Sequence, residues 1–162
     1  MTIRQACLFL SLCACSSHSH WTADQVHSEK KEFSSTKLSY LSSDSIHGID
    51  VELLKIAERL NVYLNVHSLP VPPHQGNPKS ALLKLEIDGE PVRCEAYRLE
   101  GGQRFLLPEE MTKILIESLN NHKDVTLILH GYHSTIKAED FSEKFKQLLN
   151  PSPLQNPFVP GV

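Results

Sequence analysis

The sequence predicts an α+β domain, an antiparallel sheet of five to seven strands with two helices packed on one face or end of it. Three observations carry this expectation. Apolar and polar residues alternate in several short runs, the mark of half-buried strands. One pair of runs, Leu83, Leu85, Ile87 and Val92, Cys94, Ala96, is joined by Asp88-Gly89, the strongest short-range hairpin signal. Two stretches near the C-terminus carry apolar residues at helical spacing instead, so the strands come first and the helices after them.

The first residues are expected to form a leader. Met1 to Ala6 holds one basic residue, Arg4, and no acid, and Cys7 to Ala14 is apolar apart from Ser11. A basic start, a short apolar core and small residues at its end match a secretory signal. The core is far shorter than the roughly 20 residues a membrane-spanning helix needs. Leu12-Cys13-Ala14-Cys15 then resembles the lipobox of bacterial lipoproteins: an aliphatic residue, a tolerant position, Gly or Ala, and a cysteine. Cys13 is an unusual choice at the tolerant position. The resemblance implies that the Cys15 thiol receives a diacylglycerol, that a peptidase cuts between Ala14 and Cys15, and that the new amine is acylated too. One acyl chain binds a bilayer marginally and two or more hold it, at about 0.8 kcal/mol per buried methylene. In that family an aspartate after the cysteine favours the inner membrane; Ser16 and Ser17 favour the outer. Residues 1–14 are therefore expected to be a signal peptide, and the membrane, reached through acyl chains on Cys15, is the expected partner.

Residues 15–45 are rich in Ser, His, Lys, Thr and Glu with sparse apolar residues, which predicts a flexible tether from lipid to domain. His18, His20 and His27 suit a weakly held metal, but no cysteine or carboxylate completes a tight set, so solvated histidines are the simpler reading.

A single domain is expected over 46–150. Asp50 to Leu60 holds strong helix formers, yet Ile49, Val51 and Leu53 alternate. Leu60, Val62, Leu64 and Val66 alternate more cleanly and predict a strand to about His67. A strand turning near Ala57-Glu58-Arg59 is preferred for the first half, with helix left as the alternative. Ser68 to Ser80, with Pro70, Pro72, Pro73, Gly76, Asn77 and Pro78, is a loop, and its length makes it the first candidate for a partner contact.

The Asp88-Gly89 hairpin follows. Cys94 shares a face with Val92 and Ala96, as a small core residue does. After a turn at Glu100 to Gln103 comes a short strand, Arg104 to Leu107. Pro108-Glu109-Glu110 starts a helix with proline at the first position and acids at the positive end of the dipole. Met111, Ile114, Leu115 and Leu119 form its apolar stripe. Val125, Leu127 and Leu129 predict a strand broken by Gly131, with a short return at Thr135 to Lys137. Glu139 to Leu149 is the second helix, and Pro151 closes it. Residues 151–162 form a Pro-rich tail with Pro153, Pro157 and Pro160.

The net charge is −3, and losing Arg4 takes the mature chain to about −4. That balance, evenly mixed, argues against nucleic acid. Cys94 is the only thiol left beyond the leader and Cys15, which excludes an internal disulfide. His130-Gly131 after a strand is similar to the segment near the oxyanion hole of α/β-hydrolases. No Gly-x-Ser-x-Gly elbow follows, and too little chain remains for that fold. Glu100 to Arg104 lacks the lysine and spacing of a phosphate loop. Acids at Glu109-Glu110 and Glu139-Asp140 serve helix starts.

The mature part resembles only small exported domains of unknown activity, from which no residue carries over. The reading is then a membrane-anchored, non-enzymatic envelope lipoprotein, a binding or assembly module with no cofactor. The alternative is a small periplasmic enzyme or metal-binding protein using His130, His133 and Asp140. A third reading, a soluble protein whose leader is never acylated, stays open.

Overall fold

A computed structural model describes residues 20–26 and 34–151. The signal peptide, Cys15 and the tail beyond Pro151 lie outside the described residues. The domain is α+β: one antiparallel sheet with two helices. Its strands are β1 (Trp21–Val26), β2 (Ser35–Tyr40), β3 (Ile49–Ile56), β4 (Arg59–Val66), β5 (Ser80–Ile87), β6 (Glu90–Arg98), β7 (Arg104–Leu106), β8 (Val125–Leu129) and β9 (Tyr132–Ile136). Helices α1 (Glu109–Asn120) and α2 (Phe141–Leu149) follow β7 and β9. The order across the sheet is β1-β2-β3-β4-β7-β6-β5-β8-β9.

Nine strands replace the five to seven expected, and the first two come from the stretch read as a tether. That reading is corrected for Trp21–Val26 and Ser35–Tyr40. Trp21 is 1% exposed, packed between Tyr40 and Phe141 at ring separations of 5.1 and 4.9 Å. Thr36, Leu38 and Tyr40 alternate inward while Lys37 and Ser39 face out. One large aromatic and one alternating triplet are enough for an edge pair, although the polar outward residues dominate the composition.

Residues 50–60 are a hairpin. Ile49, Val51 and Leu53 are fully buried opposite Val66, Leu64 and Val62. A helix there would bring Leu54 and Ala57 inward, but Leu54 is half-buried and Ala57 is exposed at the turn with φ 50°. Burial of one strand face outweighs helix propensity, which is worth only tenths of a kcal/mol per residue. Asp88 and Gly89, at φ 53° and 84°, turn the β5–β6 hairpin as expected. The return strand after Gly131 is longer than expected, beginning at Tyr132, whose ring is buried.

The sheet curls until β9 lies against the start of β3, and the seam is closed by polar handles rather than a full ladder. The outer edge of β9 presents its backbone at His133, Thr135 and Lys137. His133 N–H donates to His47 O (2.9 Å), Tyr40 Oη–H donates to Thr135 O (3.1 Å), and Trp21 Nε1–H donates to Lys137 O (2.8 Å). Ile49 N–H, at the start of β3, donates to Ser134 Oγ (2.7 Å). An edge that would otherwise template aggregation is thereby satisfied. Among the described residues no helix is long and apolar enough to cross a membrane.

Candidate functional site

The feature most suited to binding lies where the sheet is incomplete. β7 has three residues, whereas its neighbours β4 and β6 have eight and nine. It pairs with β4 over Tyr63–Asn65 and with β6 at Tyr97 and Arg98. Leu107 N–H still donates to Val62 O (2.9 Å). Pro108 then has no N–H to offer, and the chain leaves the sheet as α1. Beyond that point β4 continues to Arg59 and β6 back to Glu90 with no strand between them.

An open groove of about 600 Å³ occupies this place. Leu60, Leu106, Tyr97, Pro108 and Ile116 give it apolar walls, and Thr112 contributes a hydroxyl. Tyr97 is 56% exposed. Its register partner Leu106 stands opposite Tyr63 on the other side, so the three side chains form a row on the outer face. Arg104 fixes that row: its guanidinium lies 4.2 Å from the Tyr63 ring centre and donates to Glu52 (2.6 Å) and Asn65 (3.1 Å). Lys113 and Glu109 on the rim are paired at 2.7 Å, whereas no ion pair engages Arg59 among the described residues.

A second polar cluster lies at the β2–β3 loop. His67, just past β4, points Nε2 at Asp50 Oδ2 (3.0 Å) and Nδ1 at Asp44 O (2.8 Å). A backbone carbonyl only accepts, so Nδ1–H donates to Asp44 O, and the Asp50 carboxylate favours the protonated ring. The Asp50 hydrogen bond is the main cause of its raised pKa. The remaining contacts explain its purpose. Asp50 Oδ1 accepts Ser42 N–H (2.8 Å). The Asp44 carboxylate accepts His47 N–H and Ile46 N–H (both 2.8 Å), which holds its pKa below the usual carboxylate value. His67 therefore clamps the loop whose His47 carbonyl seals β9.

His130, His133 and Asp140 are not brought together. His130 sits in the β8–β9 turn at φ 51°, beside Pro72, Pro73 and His74. His133 is exposed on β9 near Ser42 and Asp44. Asp140 precedes α2 beyond the other end of β9, also exposed. A strand of five residues advances about 16 Å, so His130 and Asp140 stand at opposite ends. The alternative built on this trio is corrected: strand direction separates residues that sequence proximity had grouped. Among the described residues no three His, Cys, Asp or Glu side chains form a metal site. Of the three tether histidines, His20 lies against Tyr40 at 5.5 Å, and His18 and His27 lie outside the described residues.

The Ser68–Ser80 loop is pinned rather than open. Val71 is buried, Arg98 Nε–H donates to Val71 O (2.9 Å), and Gln103 Nε2–H donates to Ser68 O (2.8 Å). Gly102 lies directly under the Arg98 guanidinium, where a Cβ would collide. Leu69 and Leu82 remain exposed beside the loop. Cys94 packs half-buried against the core as its alternation predicted, and burial pushes its thiol up to about 11.

Sequence reasoning missed the groove and the His67 clamp. Neither leaves a short motif. The clamp follows from hairpin register, which sets Ile49 opposite Val66 and so brings His67 to the β2–β3 loop. No family model matches this chain, and no curated protein or solved structure does either.

Proposed function

We propose that the chain is a lipid-anchored envelope protein whose domain is a binding or assembly module held at a membrane surface, with the outer membrane favoured. The observation that carries this reading is the leader ending in Leu12-Cys13-Ala14-Cys15. Two or three acyl chains on Cys15 give a lasting anchor where a single chain gives a transient one. The groove beside β4, β7 and α1 supports the binding half of the reading, because it combines apolar walls, an exposed tyrosine and an arginine that no ion pair engages among the described residues.

The test is intact mass and detergent partitioning of wild type, Cys15→Ser and Cys13→Ser expressed in a bacterium with the lipoprotein pathway. Wild type is expected to carry acyl mass on a chain that begins at Cys15. Cys15→Ser is expected to accumulate uncut and unacylated, since serine lacks the thiol. Cys13→Ser is expected to behave as wild type, because the tolerant position leaves with the signal. Wild type without acyl mass, or loss of it in Cys13→Ser, overturns the anchor and the localisation with it.

A further inference from the structure

Past the end of β7, β4 and β6 run on with no strand between them, and each turns backbone hydrogen-bonding groups toward that space. At β7 the flanking strands are two ladder spacings apart, about 9.6 Å, and α1 backs the space beyond. Backbone direction alternates along a strand, so the pairs already made identify the groups that face the gap. Val62 O accepts from Leu107, so the N–H and C=O of Leu60, two residues on, face the same side. Leu99 N–H donates to Arg104 O, so the backbone groups of Glu95 and Arg93 face it from the other strand. β7 reaches none of these three residues. Pro91, lacking an N–H, ends the usable edge of β6.

Register fixes the side chains as well. Pro108 takes the first outward position, level with Asn61 and Glu95. The next, inward, is level with Leu60 and Cys94, both packed on the core. The outward position after that is level with Arg59 and Arg93, which no ion pair engages among the described residues. Glu95 is already committed to Ser80 Oγ (2.7 Å) and Asn77 Nδ2 (3.2 Å). By register the two arginines stand level with one another across that position, Arg59 lining the groove beside Glu58.

We propose that this gap binds an extended segment of a partner protein by strand addition, with an apolar residue turned toward α1 and an acidic residue next to it, between Arg59 and Arg93. Main-chain hydrogen bonds to Leu60 and Arg93 supply affinity and the alternating side chains supply specificity. A strand already paired on one side, such as the outer edge of β1 in a second copy, cannot enter a space bounded on both sides. The occupant is therefore a segment free on both edges, proline-free over about four residues.

The probe is a fluorescein-labelled blocked peptide, Thr-Val-Glu-Val-Thr-Gly, titrated by anisotropy into the full chain in detergent. A second peptide carries lysine in place of glutamate. The glutamate peptide is expected to bind roughly tenfold more tightly than the lysine peptide, from two partly exposed ion pairs. The double variant Arg59→Glu/Arg93→Glu is expected to reverse the preference. Amide exchange is expected to slow at Leu60 and Arg93. Arg93→Pro removes the edge N–H without touching the β5 ladder and is expected to abolish binding; if it does not fold, the charge reversal decides. No binding at millimolar peptide, equal affinity for both peptides, or protection confined to Trp21–Val26 overturns the proposal. Acylation takes no part, so this titration and the mass measurement fail independently.

Discussion

Trp21 decides whether the chain before residue 46 is a spacer or part of the domain. Its ring is 1% exposed, lies 5.1 Å from the Tyr40 ring and 4.9 Å from that of Phe141, and its Nε1–H donates to Lys137 O at 2.8 Å. Two substitutions separate packing from the hydrogen bond. Trp21→Ala removes the whole side chain between β2 and α2, where aromatic truncations cost about 3–5 kcal/mol. Trp21→Phe keeps most of the apolar contact but leaves Lys137 O without its donor at the seam, a loss of about 1–2 kcal/mol. For a domain of this size the alanine variant should melt roughly 10–20 °C below wild type. The assay is urea unfolding followed by Trp-independent far-ultraviolet circular dichroism, with wild type and both variants compared at one slope. The expected order is wild type, then phenylalanine, then alanine. A Trp21→Ala variant within about 0.5 kcal/mol of wild type, the level of an ordinary surface change, would mean that β1 does not belong to the folded unit.

Two further outcomes follow from the polar groups. His67 has a folded pKa raised by its Asp50 hydrogen bond, so its contribution is fully present below the ordinary histidine value and is lost as pH rises through the higher folded value; unfolding between pH 5.5 and 8.5 should show stability falling over that limb in wild type and a flatter limb in His67→Phe, and parallel profiles would refute the clamp. Cys94, with its thiol pushed up to about 11 by burial, should react slowly with a thiol reagent at pH 8 until the chain is unfolded, and rapid native labelling would show that β6 does not face the core as described.

The legible parts of this fold are those written in consecutive residues. Leu83, Leu85 and Ile87, followed by Asp88-Gly89, specify a hairpin because period and turn geometry agree within a dozen residues. The amphipathic stripe of α1, with Met111, Leu115 and Leu119 buried, is local in the same sense. β1 and β2 escaped because an edge strand buries one side of a polar sequence, and Trp21 finds its partners at Tyr40, Lys137 and Phe141, up to 120 positions away. The same distance hid the site. Asp44, Asp50 and His67 become a clamp only once β3 and β4 are paired, and the gap beside β7 exists only in the lateral order of strands. His130, His133 and Asp140 failed for the converse reason: they are near in sequence, but β9 is extended between the first and the last.

The sheet has two discontinuities, and they are treated in opposite ways. At the β9 seam, three side-chain or loop contacts occupy successive backbone groups, and the His67 clamp holds the loop that supplies one of them. Ion pairing of such a partly exposed histidine is worth little alone; its effect lies in fixing the loop whose carbonyl must meet His133 N–H. At the β7 gap, the chain turns away at Pro108 while both flanking strands run on, and Leu60 of β4 and Tyr97 of β6 line a groove with apolar walls. Curled sheets without a closing ladder need protection at every free edge. Here the edge at β9 is capped from within the chain, and the facing edges of β4 and β6 are bridged by β7 over only part of their length. The proposed strand addition would meet the backbone groups of the second discontinuity as the loop and side-chain contacts meet those of the first.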